Sequence, residues 1–222
     1  VNLGIVIPVY NLTPDRFSNL KFVLSSLVSS SIKNINVVEQ ETFNTNVATI
    51  IRLFCKVRYI RYKSTSTEFN KSVLLNNFFF NTDYEYVWML DGDVFMDYNY
   101  VLENLPSKFD FVRPYDQLFK LSKKDSQATK NTSKIFLNSK ECEVNNYFGK
   151  YSYIISRRKF MEVGGYNENF KGWGFQDLDL FKRINKKNSI ISYTKNKAYH
   201  LYHPKAPTTH YQNNKRLFFV DS

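Results

Sequence analysis

The chain has 222 residues, 43% of them hydrophobic and 17% aromatic, and its 31 Lys and Arg outnumber its 20 Asp and Glu to give a formal charge of +11. A chain of this length buries roughly three-quarters of its unfolded surface around one core, and this aromatic content excludes a disordered polymer. No run approaches the ~18 apolar residues that a membrane span requires, so a single soluble domain without a transmembrane segment is expected.

Leu3-Gly4-Ile5-Val6-Ile7-Pro8 reads as a strand covered on both faces, closed by Pro8 because proline cannot continue a central ladder. Pro14 and Asp15 start a helix in which Phe17, Leu20, Val23, Leu24 and Leu27 recur at helical spacing. A short strand follows within 34–39, then a helix over 47–53, a strand over 57–62, a helix over 71–80 and the apolar strand Tyr86-Val87-Trp88-Met89-Leu90. This alternation predicts an α/β fold with a mostly parallel central sheet and helices on both faces, in which ligands bind beyond the carboxyl ends of the strands. Past Pro106 the pattern loosens. The polar stretch from Ser122 to Lys134 predicts a mobile, solvated loop or lid, 147–155 a strand, 177–184 a short helix, and everything after Thr194 an extended, irregular tail around the site.

The positive charge raises polyanions as partners, but it is spread along the chain. Its one cluster, Lys120, Lys123, Lys124, Lys130, Lys134 and Lys140, sits among Ser, Thr, Asn and Gln and reads as solvated surface. No helix-turn-helix, zinc-finger or RNP-like sequence accompanies it, so no nucleic-acid partner is expected. Cys55 and Cys142 lie far apart without a CxxC spacing, which predicts buried thiols and neither a zinc cage nor a disulfide framework. Val1 leads into the apolar run without a basic n-region or cleavage site; the expectation is a cytoplasmic protein if the chain is complete, and otherwise an excised domain of a larger one.

Two carboxylates immediately after a buried strand, Asp91-Gly92-Asp93, are poorly explained by packing. Carboxylate oxygens suit hard divalent cations that complete their shell with substrate phosphates and water, and Gly92 lets the backbone approach a ligand closely. His200-Leu201-Tyr202-His203 contains two of the three histidines, spaced to point two imidazoles to one side. Joined to Asp93 they make a mixed oxygen and nitrogen set, which favours Mn²⁺ over Mg²⁺. Four of the seven glycines fall in Gly164-Gly165 and Gly172-Trp173-Gly174, just before Gln176 and Asp177. Such a loop adopts unusual backbone angles, Trp173 can swing as a lid or stack on a sugar face, and Asp177 opens a helix whose dipole favours an acid.

These blocks, in this order, resemble glycosyltransferases of GT-A fold. Val6-Ile7-Pro8-Val9-Tyr10-Asn11 is similar to the opening of family 2-like enzymes. Phe69-Asn70-Lys71-Ser72-Val73-Leu74-Leu75-Asn76, Asp91-Gly92-Asp93, Tyr147-Phe148-Gly149, the Gly172 to Asp179 block and the histidine pair resemble the β-1,4-galactosyltransferase and chondroitin-polymerase-type domains.

The resemblance implies a metal-dependent, inverting transfer from a UDP-sugar to a hydroxyl of a glycan or glycoconjugate. It places the nucleotide-sugar part in 1–105 and the acceptor-binding and catalytic part in 106–222 of one domain. It assigns Mn²⁺, with Mg²⁺ as the alternative, to Asp93 and His203, with His200 as the more variable ligand. Asp177 becomes the general base. Pro8, Val9, Tyr10, Asn11, Glu39, Asn70, Lys71, Asp91, Gly92, Asp93 and Trp173 become donor-binding residues. Tyr147, Gly149, Trp173, Gly174, Gln176 and Asp177 fall on the acceptor side. The chain departs from the family in Gln176, where relatives usually carry Glu, and in Lys71, where they often carry Arg. Two other classes are weighed: nucleotidyl transfer on the same fold class, which generally brings a Gly-rich phosphate loop that Pro8-Val9-Tyr10-Asn11 is not, and a non-catalytic basic module for polyanions.

Overall fold

Alternation of side chains along the first strand decides how the molecule is layered. In β1 (Leu3–Val9), Ile5, Ile7 and Val9 enter one apolar cluster while Val6 enters another on the opposite face. The computed structural model describes residues 2–41, 47–64, 68–137, 143–144, 150–205 and 208–220. After β1 come α1 (Pro14–Val28), β2 (Ile35–Gln40), α2 (Val47–Ile51), β3 (Val57–Tyr62), α3 (Lys71–Phe80) and β4 (Tyr86–Leu90). The second half runs through β5 (Val94–Met96), α4 (Tyr98–Glu103), β6 (Phe111–Arg113), β7 (Gln117–Lys120), α5 (Lys123–Thr132), β8 (Glu143–Val144) and β9 (Ser152–Ser156). It closes with α6 (Arg157–Glu162), α7 (Gln176–Asn185), β10 (Ile191–Tyr193), β11 (Lys197–His200) and α8 (Tyr211–Val220).

Seven strands form the central sheet in the order β10-β6-β9-β4-β1-β2-β3, all parallel except β9, which runs against both of its neighbours. Trp88 and Leu90 face α1, whose Leu20, Val23, Leu24 and Leu27 are buried; Val87 and Met89 face α3, α6 and α7 through Leu74, Phe78, Phe79, Phe160, Leu180 and Ile184. Each fully buried leucine contributes on the order of 2 kcal/mol. The expected fold class is therefore the observed one. A second sheet, β5-β11-β7-β8, joins the end of β4 to the C-terminal segment.

Several expectations are corrected. Pro8 does not close its strand: β1 continues to Val9, and Pro8 lies past Val6↔Met89, the last pair with β4, where the missing N–H falls at a position with one neighbouring strand. The stretch expected as a mobile loop holds the helix α5. Ser122 caps it by accepting from Asp125 N, and its polar face is buried through Asp125, Ser126 and Thr129. Among the described residues after Thr194, β11 and α8 are regular elements, and the irregular course expected there is confined to the stretches around them, such as 201–205. Of the strand expected over 147–155, residues 147–149 lie outside the described residues, and β9 begins at Ser152, after Tyr151 in the left-handed region (φ 64°). Cys55 is exposed in the turn before β3, not buried, and Cys142 lies outside the described residues. Among the described residues no helix is long and apolar enough to cross a membrane.

Candidate active site

β1 is flanked by β2 on one side and β4 on the other, so the strand order reverses between β1 and β4. A crevice opens at such a point beyond the carboxyl ends of the strands. The turn after β4 carries Asp91, Gly92 and Asp93. Gly92 is packed so closely that a Cβ would stand 3.2 Å from Leu20 Cδ1 and 3.3 Å from Ile7 Cγ2.

Pairing between short strands brings the histidines to Asp93. β5 follows Asp93 directly and runs antiparallel to β11, with Val94 opposite His200, and Leu201 N donates to Asp93 O at 2.8 Å. His200 Nε2 then lies 3.5 Å from Asp93 Oδ1 and His203 Nε2 3.1 Å from Oδ2. Nδ1 of His203 donates to Pro204 O at 2.7 Å, which leaves Nε2 as the atom facing the carboxylate. The segment between the histidines is clamped: Tyr202 N donates to Ser126 Oγ of α5 and Tyr202 O accepts from Asn19 of α1. One carboxylate oxygen and two imidazole nitrogens thus lie within 4.8 Å of one another, a donor set that fits Mn²⁺. Burial alone would raise the Asp93 carboxyl, but His200, His203 and Arg16 outweigh it and hold it well below the usual range. Burial pushes His200 down to about 4, whereas for His203 the hydrogen bond and charge of Asp93 overcome burial and raise it.

A second cluster adjoins the first through Asp91. Asn70 caps α3 by accepting from Val73 N, and the first helical residue, Lys71, extends its ammonium to 3.1 Å from Asp91 Oδ1 and 3.1 Å from Asp177 Oδ2. Burial would strip the Lys71 proton; the two carboxylates prevail and keep it charged. Burial, with the charges of Asp93 and Asp177, raises Asp91 to about 6 against the pull of Lys71. Asp177 lies in the first turn of α7 and also accepts from the Tyr166 hydroxyl at 3.0 Å.

The loop before α7 needs its glycines. Gly172 and Gly174 have φ of +60° and +110°, and Cβ atoms there would stand 3.1 Å from the His210 ring and 3.2 Å from Tyr211. Trp173 between them is 56% exposed and stacks on Tyr211 with ring centroids 5.6 Å apart. Asn214 of α8, fully buried, fastens this loop: its Nδ2 donates to the carbonyls of Lys171, Trp173 and Gly174, and its Oδ1 accepts from Lys171 N.

Pro8 and Val9 end β1, Tyr10 stacks on Phe69 at 5.1 Å, and Asn11 is exposed with φ 39°. Glu39 is buried at the end of β2 and accepts from the Tyr59 hydroxyl. Asn70, besides capping α3, donates to Glu168 O, and the buried Gln176 donates to Gly172 O. Tyr147 and Gly149 lie outside the described residues. Sequence reasoning missed Arg16, whose guanidinium stands 3.6 Å from Asp93 and against the His203 ring. It also missed Ser126, Tyr166 and Asn214. Only α5 had a signal, the Ser122-x-x-Asp125 capping pattern.

Residues 134–205, which include Asp177, His200 and His203, match the family described as the N-terminal domain of galactosyltransferase. No curated protein matches the chain in sequence. Among solved structures, the catalytic domain of Drosophila β1,4-galactosyltransferase 7 in complex with xylobiose superposes with a TM-score of 0.59 at 16% identity, covering 98% of this chain and 79% of that one. GalNAc-T7 with UDP, GalNAc and Mn²⁺ gives 0.68 at 11% identity, over 99% of this chain and 48% of that one. The Pyrobaculum calidifontis mannosyltransferase PcManGT with GDP-Man and Mn²⁺ gives 0.61 at 13% identity, over 99% and 62%. The chain spans about half to four-fifths of these structures. At such identities the likeness is one of fold, and the fold is that of the GT-A glycosyltransferases.

Proposed function

We propose, from the premise that the chain is a glycosyltransferase-like domain of GT-A fold, that it transfers a sugar from a UDP-sugar to a hydroxyl of a glycan or glycoconjugate, with inversion at the anomeric carbon. The observation that carries this reading is the juxtaposition of two acid clusters on one turn: Asp93 with His200 and His203, and Asp91 joined through Lys71 to Asp177. The complexes of the fold relatives with UDP, GDP-Man and Mn²⁺ support it.

Asp93, His203 and His200 would hold Mn²⁺, or Mg²⁺ in its place. The ion, when bound, supplies Lewis-acid stabilisation of a departing diphosphate. Asp177 would accept the proton of the acceptor hydroxyl as its oxygen bonds to the anomeric carbon and the bond to the diphosphate breaks. Lys71 orients Asp177 and balances Asp91, so that two neighbouring carboxylates share one buried cation. Residues 1–105 would hold the nucleotide sugar, through Pro8, Val9, Tyr10, Asn11 and the Asp91–Asp93 turn, and 106–222 the acceptor. The exposed indole of Trp173, propped by Tyr211, offers an apolar face for a sugar ring.

The test is nucleotide release from UDP-Gal, UDP-GalNAc, UDP-Glc, UDP-GlcNAc, UDP-GlcA and GDP-Man with a panel of glycoside acceptors, with and without Mn²⁺, and NMR of the product's anomeric centre. Metal-dependent UDP release and an inverted linkage are expected. Turnover of GDP-Man alone, metal-independent release, or a retained configuration contradicts the proposal.

A further inference from the structure

Asp177 is held from two sides. Lys71 donates to Oδ2 at 3.1 Å and the Tyr166 hydroxyl donates to Oδ1 at 3.0 Å. Tyr166 is itself fixed at its backbone: its N–H donates to Asn76 Oδ1 at 2.8 Å and its carbonyl accepts from Asn76 Nδ2 at 3.0 Å. Its ring, 2% exposed, packs edge-on against Phe160. Behind it the Tyr153 hydroxyl of β9, fully buried, touches the Tyr166 hydroxyl.

The direction of this chain follows from counting protons. A phenol has one, and a carboxylate only accepts. Tyr166 gives its proton to Asp177, so the contact between the two hydroxyls is donated by Tyr153. Burial drives both phenols well above their ordinary range, so each keeps its proton. Two buried hydroxyls are costly unless paired, and phenylalanine would fill the same space without that cost. Here the pairing ends on Asp177.

We propose that Tyr166 is a positioning residue for Asp177 and that Tyr153 acts through it. With one donor on each carboxylate oxygen the plane of the group is fixed, and each oxygen retains a further acceptor site for the proton of an incoming hydroxyl. This inference rests on the reading of Asp177 as the base. The titratable groups that bear on Asp177 and this chain are Lys71 of α3, Asp91 after β4, Tyr115 before β7, Tyr153 of β9, Tyr166 and Arg183 of α7.

The test uses Tyr166→Phe, Tyr153→Phe and the double variant, with kcat, donor KM and the pH profile measured on the best UDP-sugar and acceptor of the panel, alongside thermal melting and Asp177→Asn. Loss of a donor to an ionised carboxylate raises its pKa, so the acid limb of kcat should move to higher pH. Tyr166→Phe is expected to lower kcat about tenfold, to shift that limb and to leave donor KM unchanged. Tyr153→Phe should give a smaller shift in the same direction, and the double variant should match Tyr166→Phe. A folded Tyr166→Phe with the parental kcat and pH profile overturns the proposal, as does a double variant markedly worse than Tyr166→Phe. If Tyr166→Phe fails to fold, Tyr153→Phe decides, and an unmoved acid limb overturns the proposal. Activity retained by Asp177→Asn removes the base assignment itself, whereas an inactive Asp177→Asn beside an unaltered Tyr166→Phe removes only the role of Tyr166.

Discussion

The Lys71 ammonium lies 3.1 Å from the Asp177 carboxylate, the two residues opening helices α3 and α7 more than a hundred residues apart in sequence. The same ammonium is 3.1 Å from Asp91, so one buried cation ties the turn after β4 to the start of α7. Lys71→Gln keeps a donor but removes the charge, leaving two close carboxylates to repel. We expect it to lower turnover at least tenfold and to leave the fold intact. Circular dichroism together with nucleotide-release kinetics checks this, and near-parental turnover in Lys71→Gln would show that the bridge is dispensable.

Metal binding should depend on pH through His203. Its pKa is raised, chiefly because the hydrogen bond and charge of Asp93 overcome burial, and the proton on Nε2 occupies the position a metal would take. His200, at about 4, carries no proton near neutrality. Mn²⁺ affinity should therefore climb as the pH rises through the raised His203 pKa, above the ordinary imidazole range, with about one proton released per ion below it. Calorimetry in buffers of different ionisation enthalpy counts that proton; a flat affinity would contradict the ligand assignment.

Arg16 places a positive charge 3.6 Å from Asp93, next to where a cation would bind. Its side chain is a third exposed, so solvent screens the effect to about 1 kcal/mol. Arg16→Ala should tighten the binding of Mn²⁺ alone about fivefold. Titration of Mn²⁺ followed by electron paramagnetic resonance of the free ion measures this directly, and weaker binding would mean that Arg16 supports the site and does not compete with the ion.

Ser126 accepts from Tyr202 N at 2.7 Å, the residue before His203. Ser126→Ala leaves that N–H without its partner, at a cost of about 1–3 kcal/mol, and frees the segment that carries His203. A lowered melting temperature and weaker Mn²⁺ binding are expected together. Loss of stability with unchanged Mn²⁺ affinity would separate α5 from the site.

Much of the first half of the fold was legible because its elements are long and periodic. β3, α3 and β4 fall where the sequence places them, and the alternation of strand and helix implies the parallel sheet. The convergence of Asp93, His200 and His203 was legible for a different reason: they are residue types with few structural uses at such spacing, and together they could hold a metal ion. What brings them together was not legible, since β5 and β11 have three and four residues and carry no readable period. α5 escaped because it docks through polar side chains, Ser126 and Thr129, and has no apolar stripe. Arg16, Tyr166 and Asn214 have roles set by tertiary contacts alone, and nothing in their local sequence distinguishes them from surface residues.

The most direct test compares Asp93→Ala with Asp177→Asn in two measurements on the same protein, UDP release from the preferred UDP-sugar and binding of UDP in the presence of Mn²⁺. Both variants should lose at least a hundredfold in turnover, while only Asp93→Ala should lose nucleotide affinity. Parental turnover in Asp177→Asn, or undiminished Mn²⁺-dependent nucleotide binding in Asp93→Ala, would contradict the division of the site into a base and a metal centre.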